Sequence, residues 1–377
     1  MARNLFANAH PVALKEMAEL TDAVANGDRV RTQIFLERLG TSDGVFAFAN
    51  LAQAQLQVDF GSRESIWQKF AERKIVGDFR KVSWVNIGYD LSNWKAEDKG
   101  VKRAPGALPK VAEGEKYQAF SLNSSTLDFA IEKFGAQFGL TWEAFVNDPY
   151  DIVGKLPTIF ANAAVDTLDA NATKALFAGA DSAPHLAAMT ASQSPTGVAV
   201  AADAALNYHA LVAARAQLKT KKDAVGNYVA PGKLVLNVSP GLKPVADAIL
   251  AMTSQVTRSG TGTNFTETTS APALGDIEVV ENRFLAFFAG NETTWVLSPA
   301  AGAGIGTKPV VIQAFLAGEE APELRVSGLA GYTPNGQALP FTSGSFDTDT
   351  FDMRVRTVGG AGVIDAAPFL LSDGTGA

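Results

Sequence analysis

The chain has 377 residues, of which 32 are basic and 39 acidic, a formal net charge of −7, and no cysteine. Its length is more than one ordinary compact core organises, so two or more lobes are expected. The acidic balance argues against a protein whose main task is gripping a phosphate backbone, and the missing thiols exclude a disulfide framework and thiolate metal sites.

The first residues, MARNLFANAHPVALKEM, lack the apolar core of about 7–15 residues and the cleavage site of an export signal. No run approaches the roughly 18 apolar residues of a membrane span, so the expectation is a soluble, unexported cytoplasmic protein with no membrane partner. With 47% hydrophobic and only 19% charged residues, part of the apolar surface is expected to be covered by other subunits.

Helical periodicity predicts a helix over 11–25, through Leu14, Met17, Ala18, Thr21 and Val24, and a short one carrying Val30, Ile34 and Leu39. Residues 44–60 are apolar and fit strand or helix equally. With no compact core of its own in view, the stretch before about 60 reads as an arm. Ser62 then opens a short amphipathic helix carrying Ile66, Trp67 and Phe70. Strand-like spacing follows at 78–87 through Phe79, Val82 and Trp84, and again from Tyr117 through Leu127, Phe129 and Ile131.

Between those strand segments lies KAEDKGVKRAPGALPKVAEGE, 95–115, rich in charge, Gly and Pro and without an aromatic residue. A charged connection of this length inside a compact domain is functional or disordered. If its flanks pair, it is the tip of a long projecting hairpin, which needs another surface because two strands alone are marginal in water. Lys102 and Arg103 have no aromatic interleaving, so a salt bridge to another subunit suits them better than nucleic acid. Lys110, Glu113 and Glu115 join them as candidate intersubunit contacts, the carboxylates being wet or paired across such a contact.

LTWEAFVNDPYDI, 140–152, alternates bulky residues and then reaches Asp148-Pro149, an N-cap and first helical position, so a strand is expected to feed a long helix over 149–178. Apolar residues recur at three and four from Ile152 through Leu156, Ile159 and Phe160 to Leu176, with Asp166, Asp169 and Lys174 on the other side. Pro157 predicts a break, with the main rod beginning there. Asp203 is expected to cap the next helix, which carries Leu206, Ala210 and Leu218. KLVLNV, 233–238, reads as a buried strand, and Ser239 and Pro240 as the start of a helix. Residues 253–272, rich in Thr, Ser and Gly, read as a mobile loop. Strands are expected at 276–281, 284–289, 294–298 and 309–316, making a mixed α and β second lobe. The end, FDMRVRTVGGAGVIDAAPFLLSDG, reads as two strands around a Gly-rich turn, returning to the sheet beside the long helix.

Motifs for chemistry are sparse. His10, His185 and His209 have no metal-ligand spacing. Gly302, Gly304 and Gly306 are followed by Thr307 where a dinucleotide fingerprint needs glycine, and no phosphate loop or GxSxG is present. Asp347, Asp349 and Asp352 lack the rest of a calcium loop. No catalytic, cofactor-binding or metal residue is assigned, and no cofactor is expected. A soluble α+β protein with an arm, a charged hairpin, a long helix and a second lobe has the features of something that assembles.

Several segments, in this order, resemble the major capsid proteins of tailed bacteriophages, the Hong Kong 97-type fold, and within it Mu-like head subunits. They are DFR at 78–80, AEGEKYQAFSL at 112–122, FGAQFGLTWEAFVND at 134–148, the long helix, LVAARAQLKTKKDAVGNYVAPGKLVLNVSPGLKPVADAIL at 211–250, and DMRVRTVGGAGVIDAAPFLLSDG at the end. The likeness runs from about 60 onward and rests on order rather than on one motif.

The resemblance implies an N-terminal arm (1–60), the start of a peripheral domain (61–84) and an extended loop (85–130). It further implies a peripheral domain with a spine helix (131–199), an axial domain (200–330) and a return to the peripheral domain (331–377). It implies a subunit that forms pentamers and hexamers of an icosahedral shell, assembled in the host cytoplasm, around DNA it does not bind by sequence. Portal, scaffold and decoration proteins are further implied partners.

Some members of the family join subunits through a loop lysine and an asparagine near the C-terminus. Here 336–377 contains neither Asn nor Lys, so that bond is not expected. An encapsulin-like compartment shell is the alternative within the fold; a hydrolase or binding protein with a site around 253–272 is the alternative outside it.

Overall fold

The computed structural model describes residues 42–90, 97–98, 101–102, 111, 113–114, 116–117, 121–141, 143–144, 152–177, 186–196, 198–220, 232–252, 255–261, 264–270, 274–302, 310–327, 334, 345, 347–364 and 369–376. The helices expected over 11–25 and 30–39, and Asp148-Pro149, lie outside them.

The ambiguous stretch after 44 is helix α1, Ser42–Ser62. A 3-10 turn, Ile66–Lys69, follows and buries Trp67 and Phe70. Strands β1 (Ala71–Val76), β2 (Val82–Asp90), β3 (Glu97–Asp98), β4 (Val101–Lys102), β5 (Ser121–Phe129) and β6 (Glu132–Thr141) come next. Helix α2 then runs unbroken from Ile152 to Phe177. The break expected at Pro157 does not occur. Pro157 is the sixth helical residue, so its missing N–H removes one intrahelical bond near the start, where the first four N–H groups have no helical acceptor anyway.

Further on stand α3 (Tyr208–Thr220), β7 (Leu234–Val238) and α4 (Lys243–Leu250). Asp203 is not the cap of α3, having a left-handed backbone with φ 55°. Asn207 fills that role, its side chain accepting from the Ala210 N–H at 2.9 Å. Helix α4 starts later than Ser239-Pro240 suggested, because the Ser239 hydroxyl donates to the Glu292 carbonyl at 2.6 Å instead of capping.

Residues expected to form a mobile loop are strands β8 (Gln255–Thr261) and β9 (Asn264–Ser270). After β10 (Ile277–Glu281), the strand expected over 284–289 is a short helix, α5 (Leu285–Ala289), closed by Gly290 at φ 77°. Strands β11 (Trp295–Pro299), β12 (Val311–Leu316), β13 (Glu323–Val326), β14 (Thr350–Val363) and β15 (Leu370–Ser372) complete the chain.

The chain divides into two units. The first takes residues up to Glu64, Lys133–Thr167 and Gly318–Val358. In it β13 pairs antiparallel with the early part of β14, Glu323 opposite Arg356. The buried core joins Ala52 and Leu56 of α1, Leu156 and Phe160 of α2, and Leu324, Met353 and Val355 of the strands. Helix α1 is therefore packed where the expected arm covered it. Gln53 fixes it to β13, its amide donating to the Pro322 carbonyl at 3.0 Å and accepting from the Leu324 N–H at 2.6 Å. Arg63 fixes its other end through Asn162 at 2.9 Å and Asp166 at 2.7 Å.

The second unit takes Ser65–Glu132, Leu168–Ala317 and Gly359–Ala377. Here β1 runs parallel to β12, which pairs antiparallel with the later part of β14. A four-stranded sheet has the order β10-β7-β11-β15, with β10 parallel to β7. Its residues Leu234, Leu236, Trp295 and Leu297 pack with Leu211, Ala214 and Leu218 of α3. Asp169, expected on the solvent side of α2, is 1% exposed, because its carboxylate accepts the Trp67 N–H at 3.1 Å.

The Gly-rich stretch near the end is no turn: β14 runs straight through it. A Cβ on Gly360 would stand 2.4 Å from the Ala130 carbonyl oxygen, and one on Gly362 2.9 Å from the Phe129 ring. Glycine is there for close approach, not for bending. Strand β15 does not return with β14; it pairs with β11, so residues 370–372 belong to the four-stranded sheet.

Gly360→Ala is expected to lower the unfolding temperature, since backbone must move to admit a methyl group; calorimetry of the variant would show it, and an unchanged melting curve would count against the close approach.

At the edge of the four-stranded sheet, Asp276 accepts from Arg215 at 2.9 Å and Lys219 at 2.6 Å of α3. Burial pushes its carboxyl up, but the hydrogen bonds and charges of the two cations outweigh this and hold it below the ordinary carboxylate value. A lowered folded pKa contributes stability above the unfolded value of about 3.9, and that stability is lost as pH falls through the folded one. Asp276→Asn is expected to cost roughly 1.5–3 kcal/mol near neutrality. The gap from the wild type should close on acidification below about pH 4, as urea titrations at several pH values would reveal.

Candidate functional site

Among the described residues no group of three or more His, Asp and Glu side chains could hold a metal ion. No described helix is long and apolar enough to cross a membrane. His209 stands beside Tyr208 on α3, ring edge to face at 5.4 Å, and burial pulls its imidazole below the ordinary histidine value. Asp349, at φ 46°, sits in a turn where its N–H reaches the Ser345 carbonyl at 3.0 Å. His10, His185, Gly304 and Gly306 lie outside the described residues.

The functional features are two antiparallel hairpins. In the first, β2 pairs with β5 in nine steps, Val82 opposite Phe129 through Asp90 opposite Ser121, and among the described residues neither strand has another neighbour. The expected pairing of the flanks of 95–115 is thus present. At about 3.4 Å per residue the ladder is about 30 Å long. Beyond it, β3 and β4 form a small antiparallel pair, with Glu97 opposite Lys102.

Of the candidate contact residues, Lys102 lies on β4 at that register position, and Glu113 is exposed in a turn with Gly114 at φ 78°. Arg103, Lys110 and Glu115 lie outside the described residues. Two aromatic residues flank the ladder in sequence: Phe79 before it, and Tyr117, which is 88% exposed.

The second hairpin pairs β8 with β9 in seven steps, Gln255 opposite Ser270 through Thr261 opposite Asn264, again with no third strand among the described residues. Sequence reasoning missed it by weighing Thr, Ser and Gly as loop formers. The signal was there: β-branched residues recur along both halves, and a two-residue Gly-Thr connection has the Gly-X form of a tight hairpin turn. In the same unit, α5 presents Phe287 at 79% exposure, with its ring edge against Phe288 at 5.1 Å.

Among the described residues, then, two hairpins pair only within themselves and Phe287 is displayed to solvent. A family model described as phage capsid protein matches residues 124–370. The chain belongs to that family. As a bacteriophage capsid protein it is a structural component of the virion shell, in accord with the tailed-phage resemblance read from its segments.

No curated protein matches the sequence. Solved structures are similar at low identity. The capsid structure of the cyanophage P-SCSP1u has 12% identity and a TM-score of 0.44, over 82% of this chain and 88% of that one. Mycobacterium phage Patience has 12% identity and a TM-score of 0.43, over 88% and 89%. A virus-like particle from Pyrococcus furiosus has 9% identity and a TM-score of 0.41, over 86% and 99%.

Phe287→Ser removes an apolar ring that the isolated capsid protein leaves in water. Its effect on unfolding of the unassembled chain is expected to stay within about 0.5 kcal/mol. A loss well beyond that, measured by denaturant titration, would mean that the ring is part of the subunit's own core.

Proposed function

We propose that this chain is the major head subunit of a tailed phage. It self-assembles into pentamers and hexamers that close an icosahedral shell around double-stranded DNA, with no enzymatic activity and no sequence-specific grip on the DNA. The observation that carries the reading is the charged hairpin within a chain of the phage capsid family. Its ladder of nine residue pairs has no third strand among the described residues to cover it, and such a pair is marginal in water until another surface covers it. A neighbouring subunit supplies that surface many times over in a shell, where each contact can be weak because many act together.

In this reading the architecture is of the Hong Kong 97 type. The β2–β5 hairpin is the extended loop, α2 the spine helix of the peripheral domain, and the four-stranded sheet with α3 the axial domain. The arm is the sequence before α1. The last strand, β15, goes with the axial sheet through its pairing with β11. Assembly takes place in the host cytoplasm, and scaffold, portal and decoration proteins are the further partners of such a shell.

Lys102, Arg103, Lys110, Glu113 and Glu115 form ion pairs between subunits. Lys102→Glu with Arg103→Glu is expected to abolish or strongly reduce shells in negative-stain images while leaving the unfolding transition of the subunit unchanged. Normal shells from the double variant would remove these residues from the contact. Sedimentation of the wild type as a small oligomer at every concentration would remove the shell itself.

A further inference from the structure

One face of the four-stranded sheet packs on α3 through Leu234, Leu236 and Val238 of β7 and Trp295 and Leu297 of β11. Successive residues of a strand alternate between faces. Val235 and Asn237 of β7 and Val296 and Ser298 of β11 therefore belong to the opposite face, and all four are fully buried. The register sets Asn237 opposite Val296 and Val235 opposite Ser298. The two polar residues are thus diagonal neighbours across the β7–β11 ladder, on one face and inside the core.

A polar group in such a place is costly unless it is hydrogen-bonded. Asn282, two residues beyond Val280 of the adjoining strand β10, meets that requirement within the chain. Its amide donates to Thr173 Oγ1 at 2.9 Å, and its side-chain oxygen accepts from the Phe284 N–H at 3.1 Å. Asn237 and Ser298 do not meet it. Both polar atoms of the Asn237 side chain and the Ser298 hydroxyl are buried with no hydrogen-bonding partner among the described residues. An apolar side chain at either position would carry no such cost, as valine does at 235 and 296.

Geometry limits what can satisfy the pair. Diagonal neighbours across an antiparallel ladder have Cα atoms about 7–8 Å apart and Cβ atoms somewhat closer. Short side chains such as Asn and Ser reduce that span to the reach of two hydrogen bonds in series, each about 2.8 Å long. The bridging group must be one heavy atom in size and must both donate and accept, because Asn237 offers a donor and an acceptor and Ser298 offers either. Water has those properties, and three polar contacts are the usual number for a buried water molecule.

We infer that the face of the four-stranded sheet turned away from α3 holds an internal water molecule, bound between the side-chain amide of Asn237 and the hydroxyl of Ser298. It ties β7 to β11 through side chains in addition to their backbone ladder, and it accounts for two polar residues beside valines in a sealed layer. The site lies within the second unit and does not depend on assembly of a shell.

The test joins a density map to three variants. In a structure of the full-length chain at a resolution that shows ordered solvent, a peak is expected within about 3.2 Å of both the Asn237 amide and Ser298 Oγ. A map that resolves both side chains without a peak there overturns the proposal, and so does a direct hydrogen bond between them. Asn237→Leu, which keeps the branched shape and removes both polar atoms, Ser298→Ala and the double variant are then compared by thermal unfolding. A shared water makes the two residues one unit. Each single substitution should lower the melting temperature by roughly 2 °C or more, and the double variant should lose less than the two single losses together. Polar groups that are merely unpaired behave in the opposite way: removing either one leaves the melting temperature unchanged or raises it, and that result also overturns the proposal. Should Asn237→Leu fail to fold, the direction of the Ser298→Ala shift and the map decide.

Discussion

Two strands that pair only with each other cannot bury a face. In water such a hairpin gains its ladder of hydrogen bonds but little apolar burial to set against the entropy of ordering, so it is marginal by itself. Among the described residues this chain has two of them, of nine and seven pairs, in addition to the small β3–β4 pair. For a bacteriophage capsid protein the constraint is productive. On the function proposed above, a neighbouring subunit supplies the surface that such a hairpin lacks.

Against these hairpins stand the packed cores of the two units. Trp295 is fully buried, and its indole N–H donates to the Ala204 carbonyl at 3.2 Å; the Ser372 hydroxyl donates to the same oxygen at 2.9 Å. One carbonyl thereby holds β11 and β15 to the segment that leads into α3. Within the same unit Thr173 of α2 and Asn282 at the end of β10 satisfy each other inside the core, the asparagine amide donating at 2.9 Å. In the first unit, Gln53 does comparable work between α1 and β13. Contacts of this kind tie segments distant in sequence together inside each unit.

Several failures of sequence reading share one cause. Pro157, Gly360 and the Thr-rich stretch were each judged by local preference, and each was decided by placement. Proline near a helix start removes little. Glycine inside a strand admits a carbonyl oxygen where a methyl group would collide. Threonine, counted as a loop former, is also a β-branched residue that suits a strand once a partner lies opposite. Asp169 is the same lesson with charge: on a helical wheel it belongs outside, yet the N–H of Trp67 needed an acceptor.

Legible along the chain were the mixed α and β class, the long helix, the buried strand expected at 233–238, the strand expected at 309–316, the charged hairpin tip and, through the order of its segments, the capsid family. All but the family, which is a resemblance of several segments in order, are written in periodicity and composition, which depend only on neighbours along the chain. Tertiary structure alone decided that α1 joins a core, that β15 pairs with β11 and that Asn207 rather than Asp203 caps α3. Each of those outcomes turns on which distant backbone or side chain lies within hydrogen-bonding reach, a quantity that no local pattern contains.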